Sequence, residues 1–213
     1  MFEDGFHEEI ESAALATGYG PILRTSARES FSLRQQIFEQ VRASGRVARA
    51  TIARSLDVSP GSVTALTAEL IADGFLREVE GAARETSRGR PPVALEVVPE
   101  ALRVVGVKLS DETHTAVLTD LAGNLLASAA LGSNTDKKTA EDLLKDTENL
   151  VTQLCTAAEI PMDTISAIGV GIAGIVDFES GMVAWSPLLQ NADVPLGQIF
   201  ADHFETPVRI DND

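Results

Sequence analysis

The sequence predicts a multi-domain α/β protein, and two patterns support this fold class. Residues 46–77 have the spacing of two short helices, a tight turn and a strand. From residue 102 the order becomes three short strands, a helix, a strand, a second helix and a last strand, which is typical of a mixed sheet. An apolar fraction of 44% in 213 residues is enough for the cores of two small domains or one large one.

The segment 46–77 carries start and stop signals for two consecutive helices. Asp57-Val58 is predicted as the turn, the Ser59 hydroxyl can cap the second helix, and Pro60 fits its first position because no N–H is needed there. Gly74 follows the last turn, where a left-handed residue commonly ends a helix. Apolar residues form one face of each helix: Ile52, Ala53 and Leu56 in the first, and Val63, Leu66, Leu70 and Ile71 in the second. This pattern predicts a helix-turn-helix.

The second helix of the pair is predicted to turn small side chains outward: Ser62, Thr64, Ala65 and Ala68. Small outward groups let a helix enter the major groove of DNA, where side chains can read base edges. The predicted DNA contacts in this segment are Arg49, Ser59, Pro60, Gly61, Ser62, Thr64 and Ala65. The alternative is a helical hairpin that only packs against its neighbours.

A further helix and two strands complete the predicted N-terminal domain as a winged helix. The helix covers residues 31–44, with Ser30 or Ser32 as its cap. The strands are Leu76–Glu80 and Val93–Val98, which alternate apolar and polar residues. The loop between the strands is the predicted wing.

Arginines of this loop are predicted to contact DNA as well. Arg84 precedes the segment Arg88-Gly89-Arg90-Pro91, in which Gly permits close backbone approach and Pro excludes helix. Arginines on such an extended segment suit the narrow, negatively charged minor groove of A·T-rich DNA. We therefore predict DNA contacts for Arg84, Arg88, Gly89 and Arg90; the alternative is a solvated basic loop.

The net charge of −15 is unevenly distributed along the chain. Residues 24–103 hold 12 of the 17 basic residues and 10 acidic ones, whereas residues 104–213 hold 5 basic and 17 acidic residues. An acidic domain joined to a mildly basic one would bind DNA only through its basic part. The single cysteine fits a reducing cytoplasm, three scattered histidines give no zinc spacing, and no apolar run reaches the length of a membrane span.

The predicted elements of the C-terminal half begin with a three-stranded antiparallel meander. They are, in order, strands at 102–109, 113–119 and 125–131, a helix capped by Thr139 and ending at Ala158, a strand at 165–172, a hairpin turn at 177–181, a helix at 195–204 and a strand at 208–210. Asp211-Asn212-Asp213 follows this last strand.

The order of these parts resembles the ROK family (repressors, open reading frames, kinases) from about Leu33 to Asp213. The repressor branch of that family has an N-terminal winged helix, a linker with a Gly-Arg-Pro-like segment, and a sugar-kinase-like domain of the actin/RNase H type. Here Gly89-Arg90-Pro91 is similar to the linker, and the residues from Val104 onward are similar to the first lobe. The segments 186–196 and 207–213 resemble the family's sugar-site region.

The resemblance breaks at the phosphate loop of the family's kinases. Their Asp-x-Gly-Gly-Thr-like sequence lets backbone N–H groups reach the phosphates of ATP. In this chain Lys108 replaces the leading Asp, Ser110 and Asp111 replace the glycines, and Glu112 replaces the Thr. Two carboxylates would face the phosphates, so we predict neither ATP binding nor phosphoryl transfer, and no catalytic residue.

The resemblance implies ligand-binding roles for Ala173, Gly174, Asn191, Asn212 and Asp213. Asn212-Asp213 matches a kinase pair in which Asn holds the sugar and Asp is the general base, and both side chains can hydrogen-bond sugar hydroxyls without ATP. Ala173-Gly174 stands at a Pro-Gly-like loop, whereas Gln190-Asn191 departs from the usual Gly-Trp. A polar turn after a strand is the alternative for the last residues.

The resemblance also implies a second lobe, with a zinc-binding His/Cys motif and further sugar ligands, that has no counterpart up to Asp213. We therefore expect an incomplete, truncated lobe with no metal and no other cofactor in this chain. The predicted regions are an N-terminal arm at 1–30, a winged helix at 31–87, a linker at 88–101 and the incomplete lobe at 102–213.

The predicted function is transcriptional regulation in the cytoplasm, with no membrane partner. We expect a homodimeric repressor of sugar-utilisation genes that binds an operator in double-stranded DNA, responds to a sugar or sugar derivative, and lacks kinase activity. The first alternative is an ATP-dependent sugar kinase with an appended N-terminal domain. The second is a winged helix that binds protein rather than DNA.

Overall fold

The computed structural model describes residues 32–80, 93–134 and 136–213. They fall into two compact units, each described by itself: residues up to Ala101 together with Leu121–Asn124, and residues 102–120 together with 125–213. The predicted arm at 1–30 and the wing loop at 81–92 lie outside the described residues. No helix within the described ranges is long and apolar enough to cross a bilayer.

Three helices form most of the first unit. α1 spans Leu33–Ser44, α2 spans Arg49–Leu56 and α3 spans Pro60–Ala72. Of the two predicted caps for α1, the structure selects Ser32. Its hydroxyl accepts the N–H of Gln35, while the Gln35 side chain accepts the N–H of Ser32, so both backbone donors are satisfied.

The turn between α2 and α3 has the chemistry that the sequence predicted. Asp57 ends α2 in the left-handed conformation, with φ of 54°. Ser59 caps α3 by accepting the N–H of Ser62 at 3.0 Å, and Pro60 is the first helical residue. Gly74 follows α3 with φ of 79°, a conformation that favours glycine. The predicted helix boundaries are therefore confirmed within two or three residues.

A three-stranded antiparallel sheet completes the first unit. Its strands are β1 (Arg46–Val47), β2 (Leu76–Glu80) and β3 (Val93–Val97), in the order β1-β3-β2. β3 is the central strand and pairs with both neighbours, so part of the range 88–101 that was predicted as linker belongs to this sheet. Arg46-Val47 was predicted as the start of a helix and is instead an edge strand, because β3 provides it with a partner.

The core of the first unit draws on all of these elements. Its buried apolar residues are Ile37, Val41, Val47, Ile52, Ala53, Val63, Leu70, Leu76, Leu95 and Val97. Leu66 and Ile71, predicted on the same face of α3, are partly buried against it. One face of α3 is thereby fixed in the core, which leaves the opposite face to solvent.

A mixed five-stranded sheet forms the second unit, with the order β10-β7-β4-β5-β6. Its strands are β4 (Arg103–Leu109), β5 (Thr113–Asp120), β6 (Leu125–Gly132), β7 (Ala167–Ile172) and β10 (Val208–Asn212). β4, β5 and β6 are antiparallel neighbours, whereas β7 runs parallel to both β4 and β10. The predicted mixed sheet is confirmed.

Two helices and a hairpin accompany this sheet. α4 spans Ala140–Ala157 behind the predicted cap Thr139, and α5 spans Leu196–Phe204. β8 (Ile175–Asp177) and β9 (Met182–Trp185) form the hairpin around the predicted turn. The predicted apolar face of α4 is buried at four positions, Leu143, Leu150, Val151 and Leu154. The fifth predicted residue, Leu144, is only partly buried.

His114 on β5 is fully buried in the second unit. Its Nδ1 accepts the N–H of Ser110 at 3.1 Å, so the proton of the neutral ring belongs on Nε2. Nε2 lies 3.4 Å from a carboxylate oxygen of Asp146, which also pairs with Lys138 at 2.9 Å. Burial lowers the pKa of His114, and Asp146 opposes this effect. The neutral imidazole of β5 therefore faces the Asp146 carboxylate of α4 without a hydrogen bond from Nε2.

Candidate nucleic-acid interface and effector site

The solvent-facing side of α3 consists of small and polar residues over its first turns. The side chains predicted to contact DNA here are exposed: Ser59, Pro60, Gly61, Ser62, Thr64 and Ala65. The Ser59 and Ser62 hydroxyls lie 2.8 Å apart, and the Thr64 hydroxyl donates to the carbonyl of Pro60 at 2.9 Å. Exposed hydroxyl groups of this kind can exchange these local bonds for hydrogen bonds to a partner.

The opposite side of α3 contains one polar residue that the sequence pattern did not reveal. Thr67 is fully buried, and its hydroxyl donates to the carbonyl of Thr64 at 3.2 Å. The same oxygen accepts a hydrogen bond from Nε of Arg49 at 2.8 Å. Thr67 therefore links α3 to the first residue of α2.

Arg49, predicted as a DNA contact, is tied to two other elements of its own unit. Its guanidinium bonds Thr67 on α3 and lies 2.8 Å from the carboxylate of Glu78 on β2. The side chain is only 25% exposed. The arrangement joins α2, α3 and β2 through one cation, which favours a role in positioning α3.

A row of charged residues crosses the small sheet. Glu96 on β3 has Arg46 of β1 and Arg77 of β2 as its register partners. Nε of Arg46 lies 2.6 Å from one carboxylate oxygen of Glu96, and Nη2 of Arg77 lies 2.7 Å from the other. Hydrogen bonds from Arg77 and then Arg46 hold the pKa of Glu96 below its usual value, so its carboxylate stays ionised. The three residues lie far apart in the chain, so only strand pairing reveals the row. The other predicted contacts, Arg84, Arg88, Gly89 and Arg90, lie outside the described residues.

The residues predicted to bind a ligand gather mostly at one end of the large sheet. β4, β7 and β10 are parallel and end together there. Asn212 at the end of β10 donates a hydrogen bond from Nδ2 to the carbonyl of Gly174, which follows β7. Asp213 lies 2.8 Å from Nζ of Lys108 on β4. The carboxyl ends of parallel strands are a common place for ligand sites.

Gly174 occupies a position that has no room for a side chain. Its φ is 150°, and an added Cβ would lie 2.1 Å from the carbonyl oxygen of Trp185. Ala173 is partly exposed beside it. Asn191 is exposed in the segment between β9 and α5, where its neighbour Gln190 bonds the backbone of Lys137 and Lys138. The structure thus brings Gly174, Asn212 and Asp213 together at the end of the sheet. Asn191 lies instead in the segment that connects β9 to α5.

The hairpin at the place of the kinase phosphate loop is closed by its own side chains. The Ser110 hydroxyl donates to the carbonyl of Thr113, and the Asp111 carboxylate accepts the N–H of Glu112 at 3.1 Å. Asp111 and Glu112 are both exposed. Among the described residues, no group of three or more His, Cys, Asp or Glu side chains is arranged to hold a metal ion.

The model of the ROK family matches residues 104–213, which is more than half of the chain. The chain belongs to the ROK family. This assignment agrees with the resemblance seen in the order of the sequence elements. It also agrees with the mixed sheet of the second unit, which covers the matched residues.

Individual relatives of this ROK protein include two named repressors. The xylose repressor of Caldicellulosiruptor bescii is 30% identical over 171 residues, which cover 78% of this chain and 41% of the relative. The DNA-binding transcriptional repressor Mlc of Escherichia coli strain K12 is 26% identical over 172 residues, covering 79% of this chain and 41% of Mlc. The chain therefore spans about two fifths of the length of these relatives.

A solved structure shares the fold of this ROK chain. It is a ROK family transcriptional regulator described as a homologue of the Escherichia coli MLC protein. Its TM-score is 0.64 at 22% identity, and the superposition covers 84% of this chain and 45% of the other. At this identity the likeness shows the fold alone.

Proposed function

We propose that this chain is a sugar-responsive transcriptional repressor whose first unit is a winged helix-turn-helix that binds operator DNA. The observation that carries the proposal is the two-sided character of α3. One side is fixed in the core by Val63, Thr67 and Leu70, and the other exposes only small or uncharged side chains from Ser59 to Ala68. In this proposal the protein acts as a cytoplasmic homodimer.

The exposed side of α3 has the shape and chemistry that the major groove requires. Small residues allow the helix backbone to approach base edges closely, and serine and threonine hydroxyls can donate to or accept from any base. The positive end of the α3 helix dipole also favours a phosphate near its N-terminus. These features support DNA as the partner over a protein, since a protein interface usually places aromatic anchors at its centre.

The named relatives support the same proposed function. The matches to the xylose repressor and to Mlc cover 78% and 79% of this chain, which is more than the ROK region at residues 104–213. The similarity therefore reaches into the residues of the first unit. A repressor with a sugar effector is the function that this similarity favours for the present chain.

We also infer that the chain does not transfer phosphate. A sugar kinase needs a carboxylate that accepts the proton of the acceptor hydroxyl, and Asp213 here pairs with Lys108 at 2.8 Å. Exposed Asp111 and Glu112 would repel the phosphates of ATP at the place of the phosphate loop. Both features support a protein that binds a sugar without phosphorylating it.

Binding-site selection from random duplexes with the purified chain tests the DNA-binding proposal, and we expect one enriched sequence. In mobility-shift titrations on that sequence, Ala65→Glu, which puts a negative charge on the exposed side of α3, weakens binding at least tenfold. Ala157→Glu is the matched control, because Ala157 is an exposed alanine near the end of α4. The proposal is contradicted if no sequence is enriched, or if the two variants bind equally well.

A further inference from the structure

The β8–β9 hairpin exposes two large apolar side chains directly opposite each other. Ile175 is 64% exposed and Trp185 is 51% exposed. They are register partners in the ladder, so their side chains lie on the same face of the hairpin. Large apolar groups exposed side by side commonly mark a binding surface.

This apolar pair lies next to the polar residues at the end of the large sheet. Ile175 directly follows Gly174, whose carbonyl accepts the hydrogen bond from Asn212. The backbone of Trp185 packs so closely on Gly174 that a Cβ there would lie 2.1 Å from the Trp185 carbonyl oxygen. The residue that carries the indole is therefore in backbone contact with the candidate effector site.

We propose that Trp185, backed by Ile175, is the surface on which the ring of a neutral monosaccharide stacks while Asn212 and Asp213 bind its hydroxyls. The proposal rests on the proposed sugar response of this chain. The C–H groups on one face of a sugar ring carry slight positive charge and pack against the negative face of an aromatic ring. Small-molecule sites combine such an apolar surface with a few convergent polar groups, and both components are present here.

The charges of the polar part favour a neutral sugar over a phosphorylated one. Lys108 and Asp213 form an ion pair at 2.8 Å, so their charges cancel and offer no net attraction to a phosphate. A neutral ligand keeps this pair intact and can hydrogen-bond Oδ1 of Asp213, since it is Oδ2 that pairs with Lys108. The ligand class is therefore an uncharged aldose or N-acetylated amino sugar.

A second exposed aromatic residue of the hairpin region, Phe178, provides a control. Phe178 is half exposed, but the guanidinium of Arg209 lies over its ring at 5.4 Å from the centroid. This face of the ring is already covered by a cation. Removing Phe178 takes away a comparable aromatic surface from the same hairpin without touching the Trp185–Ile175 pair.

Intrinsic fluorescence tests the proposal directly, because Trp185 is the one tryptophan in the sequence. The purified full chain is titrated with D-xylose, D-glucose, N-acetyl-D-glucosamine and D-glucose 6-phosphate. We expect one neutral sugar to change the emission of Trp185 saturably and the phosphorylated sugar to leave it unchanged. Calorimetry with the same sugar then gives the dissociation constants of the variants.

In the calorimetric series, Trp185→Ala and Trp185→Leu weaken sugar binding roughly tenfold or more, Trp185→Phe stays within a few-fold of wild type, and Phe178→Ala is unchanged. Equal binding by wild type and Trp185→Ala overturns the stacking proposal and leaves the proposed function intact. A sugar that binds without changing the Trp185 emission also overturns the stacking proposal and leaves the proposed function intact. Absence of sugar binding overturns both the stacking surface and the sugar response. Sugar binding without any operator binding removes the repressor and keeps the stacking surface.

Discussion

Two glycines show how differently single residues are constrained in this chain. Gly174 has φ of 150° and meets the backbone of Trp185, so any side chain there would be strained and would collide with main-chain atoms. Gly61, in the first turn of α3, has ordinary helical geometry, and an added Cβ would only touch the Ser59 hydroxyl oxygen at 3.8 Å. The first glycine is required by the fold, whereas the second is not.

We therefore predict opposite effects for the two alanine substitutions. Gly174→Ala lowers the free energy of unfolding by about 2 kcal/mol or more, because the backbone must move to accept the new methyl group. Gly61→Ala raises it by roughly 0.5 to 1 kcal/mol, because alanine is the better helix former. Urea denaturation followed by circular dichroism measures both values.

Operator affinity of the Gly61→Ala variant gives further information. A stabilised variant that binds the operator less well would mean that DNA approaches the α3 backbone at Gly61. Two substitutions that shift stability in the same direction would contradict the geometry described for these glycines.

At the scale of the elements, the orientation of α3 depends on a polar link as well as on its apolar face. Arg49 joins Thr67 of α3 and Glu78 of β2, at 2.8 Å in both cases. Thr67 is fully buried, so its hydroxyl oxygen needs the hydrogen bond that it accepts from Arg49 as well as the one that it donates to the carbonyl of Thr64. An error in the orientation of α3 would move at once every side chain that is proposed to read bases.

The salt dependence of operator binding separates a positioning role of Arg49 from a phosphate contact. If Arg49 positions α3, Arg49→Lys and Glu78→Gln both weaken operator binding several-fold. Lysine lacks the planar guanidinium that contacts Thr67 and Glu78 together, and glutamine lacks the charge that pairs with Arg49. The slope of log K against log salt then stays the same as in wild type. Mobility-shift titrations at four salt concentrations supply this slope.

Glu78→Gln is the more informative of the two variants. Removing a negative charge from a DNA-binding unit normally strengthens binding, so weaker binding requires an indirect effect through Arg49. The opposite outcome would place Arg49 among the phosphate contacts. In that case the salt slope of the Arg49→Ala variant falls by about one unit, and Glu78→Gln binds the operator as well as wild type does.

At the scale of the whole molecule, the charge is divided between the two halves of the chain. Residues 104–213 hold 17 acidic and 5 basic residues, whereas residues 24–103 are slightly basic. Since an acidic surface repels DNA, the proposed operator contacts lie in the basic part. A sugar bound to the acidic unit can therefore affect operator binding only by favouring one conformation of the protein over another.

Thermodynamic linkage gives a quantitative prediction for this coupling. The factor by which the sugar changes the operator dissociation constant equals the factor by which the operator changes the sugar dissociation constant. Mobility-shift titration with and without sugar gives the first factor, and Trp185 fluorescence with and without operator gives the second. Factors of one would show that the sugar site is not coupled to DNA binding.

Asn212→Ala separates the two activities. It removes the amide at the effector site, so we expect the sugar effect to disappear while operator affinity without sugar remains as in wild type. Asn149→Ala is the matched control, because Asn149 is an exposed asparagine on α4. Loss of sugar-free operator binding in the Asn212→Ala variant alone would contradict separate sites.

Much of the fold could be predicted because its signals are local. The cap of α3 at Ser59, the left-handed stops and the alternating strands depend on residues within one or two turns of each other. The two-residue strand β1 could not be predicted, since its partner β3 lies about 50 residues away and sequence gives no sign of the pairing. The same applies to the candidate sites: exposed α3 residues follow from periodicity, but the partners of Arg49 do not.

The sequence by itself determined the order of the elements, the outward face of α3, the charge division and the family. Each of these depends on periodicity, composition or a collinear pattern along the chain. Only the tertiary structure decided that Lys108 neutralises Asp213, that Arg49 joins three elements, and that Trp185 lies beside Gly174. The physical reason is that these contacts join residues brought together by strand pairing and packing, and their geometry depends on the positions of whole elements in space.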